Sequence, residues 1–209
     1  MKVISAEFVT SAAAGGSTSG IPHDGLPQIA MTGRSNVGKS TLLNALCRSK
    51  VARTSAAPGK TRLANIYRVT IEGGRPGRWS LYLVDLPGYG YARGGAGSAE
   101  ELKAVAERYF LGPERGRGAE SRHALLLVDS RHPGLDSDIQ AAHWLTAMDV
   151  DFRVVATKID KLSRTERARN LKALELTFGM AALPVSAASG EGMDILWKMI
   201  ASLARTGHA

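Results

Sequence analysis

A single cysteine, Cys47, in 209 residues excludes an internal disulfide and a cysteine-rich zinc site. No apolar run approaches the roughly 20 residues that cross a bilayer, so no membrane-spanning helix is expected. The N-terminal residues lack the basic-then-apolar layout of a secretion signal, and a reducing, cytoplasmic setting is the expectation. Aromatic residues are scarce at 6%, and no stacked-aromatic RNA-binding module is visible. Acidic residues are also in short supply: 19 against 27 Lys and Arg, a net charge of +8. What is present is a 44% hydrophobic fraction, which suffices for one sizeable core and excludes a disordered chain. The length suits one full-sized domain with short tails.

The apolar pattern is regular. Residues 3–10 alternate and predict a short strand, and the small residues of 12–20 predict a flexible loop. IAMTG (29–33) predicts a buried strand, and GKSTLLNALC (38–47) a helix with Leu42, Leu43 and Leu46 on one face. LANIYRVTI (63–71) and WSLYLVDLPG (79–88) flank the turn GGRPG (73–77) and predict a hairpin. Strands follow at 123–130, 152–158 and 183–187. Helices follow at 98–111, at 137–148 with Ser137 as cap, at 163–178 and at 192–204. Ser163 with Glu166 three residues later forms the pattern of a capping box. Continuous apolar strands alternating with helices predict an α/β fold whose mostly parallel sheet is covered on both faces, the hairpin supplying one antiparallel strand.

GRSNVGKS (33–40) fits Gly, four residues, Gly-Lys-Ser, after a predicted strand and opening a predicted helix. Glycines let the backbone wrap close to phosphate, N–H groups turn inward, and the helix N-terminus adds partial positive charge. The candidate phosphate contacts are Gly33, Arg34, Ser35, Asn36, Val37, Gly38, Lys39, Ser40 and Thr41. Lys39 can reach the β- and γ-phosphates and the Ser40 hydroxyl can ligate Mg2+. ATPases, kinases and GTPases share such a loop, so the base is chosen elsewhere.

DLPG (85–88) ends the second predicted strand after this loop. Asp85 can hold Mg2+ through water and the Gly88 N–H can meet a γ-phosphate, with Leu86 and Pro87 between them. RTSAAPGKTR (53–62) is polar and lacks an acid. Within it Thr61 is favoured over Thr54 as a Mg2+ ligand, flanked by Gly59, Lys60, Arg62 and Leu63. TKID (157–160) follows a strand. The Asp160 carboxylate only accepts hydrogen bonds, and guanine presents N1–H and a 2-amino group as paired donors. Adenine has no such pair, so Asp160 would go unmatched. Lys158 can lie along the base, beside Thr157 and Ile159. SAA, at Ser186, Ala187 and Ala188, can offer a backbone N–H to guanine O6.

This ordered set resembles the translation-factor-like GTPases and, more narrowly, the EngB (YihA/YsxC) family of bacterial GTPases. The stretches that carry the resemblance are LPQIAMTGRSNVGKSTLLNAL (26–46), ARTSAAPGKTR (52–62), LVDLPGYGYA (83–92), DSRHPGLDSD (129–138) and TKIDKL (157–162). It spans residues 3–203, nearly the whole chain. It implies a three-layer, Ras-like P-loop GTPase fold with a six- or seven-stranded sheet, in which 1–25 form an N-terminal strand and loop, 26–205 the GTPase domain and 206–209 a tail. It implies GTP and GDP as ligands with Mg2+, and a partner in the large ribosomal subunit or its precursor (rRNA and ribosomal proteins). Defects in cell division and septation would follow its loss. Neither DNA nor membrane is an expected partner, and the chain is expected to be a monomer. The alternatives are a constitutive RNA-binding protein with structural nucleotide, and a P-loop ATPase or kinase, against which Asp160 argues.

Catalytic candidates are Lys39, Thr61 and Gly88. In Ras-like GTPases a glutamine after Asp-x-x-Gly orients the attacking water. Here that position is Tyr89, which cannot mimic a planar amide, so slow intrinsic hydrolysis is expected. Asn36 is a candidate K+ ligand, or it only orders the loop. His132, with no serine nucleophile motif beside it, reads as a loop or structural residue, and Arg131 as solvated or facing a partner. Trp79, Trp144 and Trp197 fall on apolar patterns as core or half-buried residues, and Cys47 as a small inert hydrophobe. The positive charge is concentrated: residues 34–62 carry +7 and residues 153–172 carry +5, leaving the rest of the chain at −4. Beyond what serves a triphosphate, this excess is expected to meet rRNA phosphates.

Overall fold

The computed structural model describes residues 1–12, 20–52, 63–73, 77–89, 96–111 and 121–206. Seven strands form one sheet: β1 (Lys2–Ala12), β2 (Gln28–Gly33), β3 (Ala64–Glu72), β4 (Arg78–Asp85), β5 (Arg122–Asp129), β6 (Phe152–Thr157) and β7 (Leu183–Pro184). Their spatial order is β1-β3-β4-β2-β5-β6-β7. β3 pairs antiparallel with both β1 and β4, and the remaining pairs are parallel, so β3 alone runs against the sheet. The expected hairpin is present, closed by the Gly73 N–H on the Gly77 carbonyl at 2.7 Å.

β2 is buried along its whole length. Its Ile29 and Met31 face one side, Ala30 the other, as period-two geometry demands. On the first side lie α1 (Lys39–Cys47) and α5 (Met193–Thr206), packing Leu42, Leu43, Leu46, Leu196, Trp197 and Ile200. On the second lie α2 (Ala96–Leu111), α3 (Asp136–Ala147) and α4 (Arg164–Phe178), packing Tyr109, Phe110, Leu145 and Leu174. The result is the expected three-layer α/β fold. The loops after β2, β4, β5, β6 and β7 leave the sheet at its carboxyl edge, where the strand order reverses beside β2. That edge is where open α/β sheets bind ligands.

Two local expectations need correction. Ser137 does not cap α3: the cap is Leu135, extended and without a side-chain hydrogen bond, and the helix already begins at Asp136. Asp136 and Asp138 in the first turn complement the helix dipole instead. β7 is two residues rather than five: after the Val185 N–H, which still donates to the Ala156 carbonyl at 2.8 Å, the Ser186 N–H turns to the Glu191 carbonyl. The Ser163–Glu166 capping box forms on α4 as expected. Trp197 is buried and Trp79 and Trp144 half-buried. Cys47 is buried, which pushes its thiol up to about 12.

Candidate functional site

The phosphate loop runs from Gly33 at the end of β2 to Lys39 at the start of α1. Gly33 has φ 152°, and a Cβ there would lie 2.6 Å from the Leu127 carbonyl oxygen, so close packing against β5 demands glycine. Gly38 caps α1 at φ 111° with no side-chain bond to the helix, which leaves the first-turn N–H groups to a ligand. Asn36 is exposed at φ 63°. Lys39 is buried and its amine donates to the Gly33 and Arg34 carbonyls at 2.9 and 3.0 Å. Burial pushes the amine down to about 8, opposed by the nearby Asp85 carboxylate.

Asp85, at the end of β4, is buried, and its Oδ2 accepts the Ser40 hydroxyl at 2.7 Å. Its Oδ1 is buried with no hydrogen-bond partner among the described residues. Burial raises its carboxyl, countered by Lys39 and by Ser40. A hydroxyl, a carboxylate and an unmatched carboxylate oxygen beside a phosphate loop are the hard oxygen donors that suit Mg2+ with water between. Gly88 has no unusual backbone angle, but a Cβ there would lie 2.6 Å from the Lys39 amine and 2.8 Å from Ser35 Cα and N. The Asp85–Gly88 turn, with Leu86 and Pro87, therefore lies directly on the phosphate loop. The Ser35 N–H donates to the Tyr89 carbonyl at 2.9 Å.

The Tyr89 hydroxyl donates to Asp138 at 3.0 Å, and Asp138 is itself buried on the first turn of α3. Burial raises the phenol well above its ordinary range, and the Asp138 carboxylate reinforces this. Asp138 is a residue that sequence reasoning missed, since no motif links it to Tyr89.

On the base side, the Thr157 hydroxyl donates at 2.8 Å to the Val37 carbonyl and lies 3.1 Å from that of Val128. Lys158 takes a left-handed backbone, φ 61°, and sends its amine to the Asn36 carbonyl at 2.6 Å and to Asp129 at 2.9 Å. Ile159 is buried beneath a short 3-10 turn that presents Asp160. The Ser186 hydroxyl donates to Asp160 Oδ1 at 2.7 Å and holds the carboxyl below its ordinary range. The Ser186 N–H is already committed to the Glu191 carbonyl, so Ala187 and Ala188 remain to face a base. Lys39, Ser40, Asp85, Gly88, Thr157, Lys158, Asp160 and Ser186 thus converge on one rim, although their motifs are scattered along the chain.

Thr61, Gly59, Lys60 and Arg62 lie outside the described residues, as does Thr54. Leu63 is exposed. Asn44, unmarked by any motif, exchanges two 2.8 Å hydrogen bonds with the backbone of Ala52, the last described residue before that segment. His132 is exposed on the turn after β5. Arg131 is not merely solvated: it pairs with Asp129.

A family model described as a 50S ribosome-binding GTPase matches residues 28–158. The chain is 42% identical over 201 residues to a protein of Solibacter usitatus named "probable GTP-binding protein EngB", covering 96% of both. It is 41% identical to the protein of that name in Chlorobaculum tepidum, covering 94% of this chain and 95% of that one. A crystal structure of a probable GTP-binding protein engB superposes with a TM-score of 0.56 at 22% identity, over 86% of this chain and 99% of that chain. An Aquifex aeolicus Era variant bound to GDP and AlF4− superposes with a TM-score of 0.68 at 21% identity, over 86% of this chain and 57% of that one. An Era complex with MgGDPNP and a 16S ribosomal RNA segment gives 0.66 at 23% identity, over 85% and 57%.

Proposed function

The chain belongs to the EngB family of GTP-binding proteins, and on that premise we propose that it is a nucleotide-dependent switch in assembly of the large ribosomal subunit. One observation carries the reading. A Cβ at Gly88 would meet the Lys39 amine, the group that would bind a γ-phosphate, so the Asp-x-x-Gly turn would respond to what Lys39 holds. GTP would order residues 53–62 and 88–98 into a surface for the pre-ribosomal subunit, and hydrolysis would release it. Loss of the protein would then disturb cell division and septation.

In this reading Lys39 leaves the Gly33 and Arg34 carbonyls and turns to the phosphates, while the first-turn N–H groups of α1 supply further positive potential. Ser40, Asp85 and Thr61 would hold Mg2+, which neutralises charge on the phosphate oxygens. Asp160 reads the guanine edge, and Ala187 or Ala188 supplies an N–H to O6. Water breaks the bond to the γ-phosphoryl group, giving GDP and phosphate. Tyr89 contributes no water-orienting group, because its hydroxyl is engaged by Asp138, so intrinsic turnover is slow. Asn36, exposed on the phosphate loop, would be the candidate K+ ligand; equal turnover in KCl and NaCl would remove that part of the reading.

Partner recognition is supported by the family description and by charge. Arg164, Arg169 and Lys172 on α4 are exposed beside the base motif. Era, similar in fold, is described in complex with ribosomal RNA. Among the described residues no helix is long and apolar enough to cross a membrane. The protein would act in the cytoplasm as a monomer, without DNA or membrane. The test is binding to purified large subunits in GTP-analogue, GDP and nucleotide-free states across a salt series. GTP-dependent binding that weakens steeply with salt is expected. Binding independent of nucleotide would favour a constitutive RNA-binding protein, and a flat salt response would remove the rRNA-phosphate assignment.

A further inference from the structure

The stretch DSRHPG (129–134) has no part in the reading above, yet its first and third residues reach into the base pocket. Asp129 ends β5 and is buried, with 6% of its surface exposed. Its Oδ1 accepts from the Arg131 Nε at 2.9 Å and from the Arg131 backbone N–H at 3.1 Å. Its Oδ2 accepts from the Arg131 guanidinium at 2.7 Å and from the Lys158 amine at 2.9 Å. The turn itself is pinned from behind, since the buried Asn170 of α4 donates to the Ser130 carbonyl at 2.9 Å.

Lys158 is a long, flexible side chain, and ordering it costs rotamer freedom. Two acceptors hold its amine: the Asn36 carbonyl, on the phosphate loop, and Asp129. The carbonyl is a neutral dipole; Asp129 is the charged partner and makes the stronger bond. A buried carboxylate with a single lysine would carry its own desolvation cost and draw that lysine toward itself. Arg131 answers this by sharing the charge through its planar fork, and a lysine in its place could not bind bidentately. The Asp160 carboxylate also favours the charged guanidinium electrostatically.

We propose that Asp129 and Arg131 are positioning residues of the guanine pocket: they fix the Lys158 amine between the base motif and the phosphate loop, and so set nucleotide affinity without touching the nucleotide. The proposal rests on the guanine-nucleotide reading of the site. Because Lys158 serves the base and not the γ-phosphate, the effect falls equally on GDP and GTP.

The experiment measures affinity of the full chain for GDP and for a non-hydrolysable GTP analogue in D129N, R131Q and K158M, and in the D129N/K158M and R131Q/K158M doubles. D129N is expected to weaken both nucleotides by about tenfold, the usual reach of one lost charged hydrogen bond, and R131Q by about threefold. In the K158M background neither change should weaken binding further. A residue that only supports the fold would weaken binding by the same factor in both backgrounds, and that result overturns the proposal. So does wild-type affinity in D129N. If D129N does not fold, the exposed Arg131 carries the same cycle through R131Q. Absence of guanine-nucleotide binding by the wild-type chain would instead remove the reading on which this rests.

Discussion

Thr157 opens the base motif, and its hydroxyl has one proton for two carbonyls, those of Val37 and Val128. The residue is buried, at 5% exposure, and no other donor among the described residues reaches the Val37 carbonyl. Thr157→Val keeps the shape and removes the donor. A buried carbonyl left without its partner costs about 1–3 kcal/mol. For a chain of this size about 1 kcal/mol lowers the melting temperature by about 2–4 °C, so a central loss of about 2 kcal/mol predicts about 4–8 °C. Thr157→Ser is the control: it keeps the hydroxyl and loses one methyl, for about 1 kcal/mol. Calorimetric melting of the three proteins without nucleotide gives the ranking wild type, then T157S, then T157V. Because Val37 belongs to the phosphate loop, GDP affinity should follow the same order. A T157V protein as stable as the wild type would refute the argument, since it would show that the hydrogen bond contributes nothing. Thr157→Asn, with two amide protons for the two carbonyls, should not fall below T157S.

Other outcomes follow from the same geometry. Asp160→Asn presents a donor where guanine also presents donors, so competition binding should show a loss of GDP and a gain of xanthosine diphosphate, whose 2-oxygen accepts. Gly88→Ala drives a Cβ into the Lys39 amine and Ser35. It should weaken the GTP analogue by at least about tenfold while leaving GDP within about threefold, and equal losses would contradict the contact. Tyr89→Phe removes the donor from buried Asp138. Burial raises the Asp138 carboxyl and the Tyr89 hydroxyl opposes that rise, so the variant's stability deficit is full above the folded-state range of that carboxyl. The deficit should shrink as the pH is lowered and the acid protonates. A deficit that grows on acidification, followed by denaturant unfolding, would reverse the sign.

The motifs were legible because each is a local device. The phosphate loop needs its glycines and lysine within eight residues, and the capping box on α4 needs only Ser163 and Glu166. Strand and helix succession was legible for the same reason, since apolar period records which face is buried. Local signals also misled: Ser137 follows the cap consensus, yet the helix already begins at Asp136 and Leu135 takes the cap position.

The sequence by itself determined the chemistry available to this protein: a phosphate loop, an acid for Mg2+, an acid for guanine and a surplus of positive charge beside them. Only the tertiary structure decided how these are joined. Thr157 meets Val37 across 120 positions, Lys158 meets Asn36 across 122, and Tyr89 meets Asp138 across 49. Those contacts depend on strand order, which brings the ends of β2, β4, β5 and β6 to one edge. No local signal ties Asp129, Asp138 or Asn170 to its partner, because a buried polar residue is chosen by the partner that satisfies it, and that partner is set by the fold.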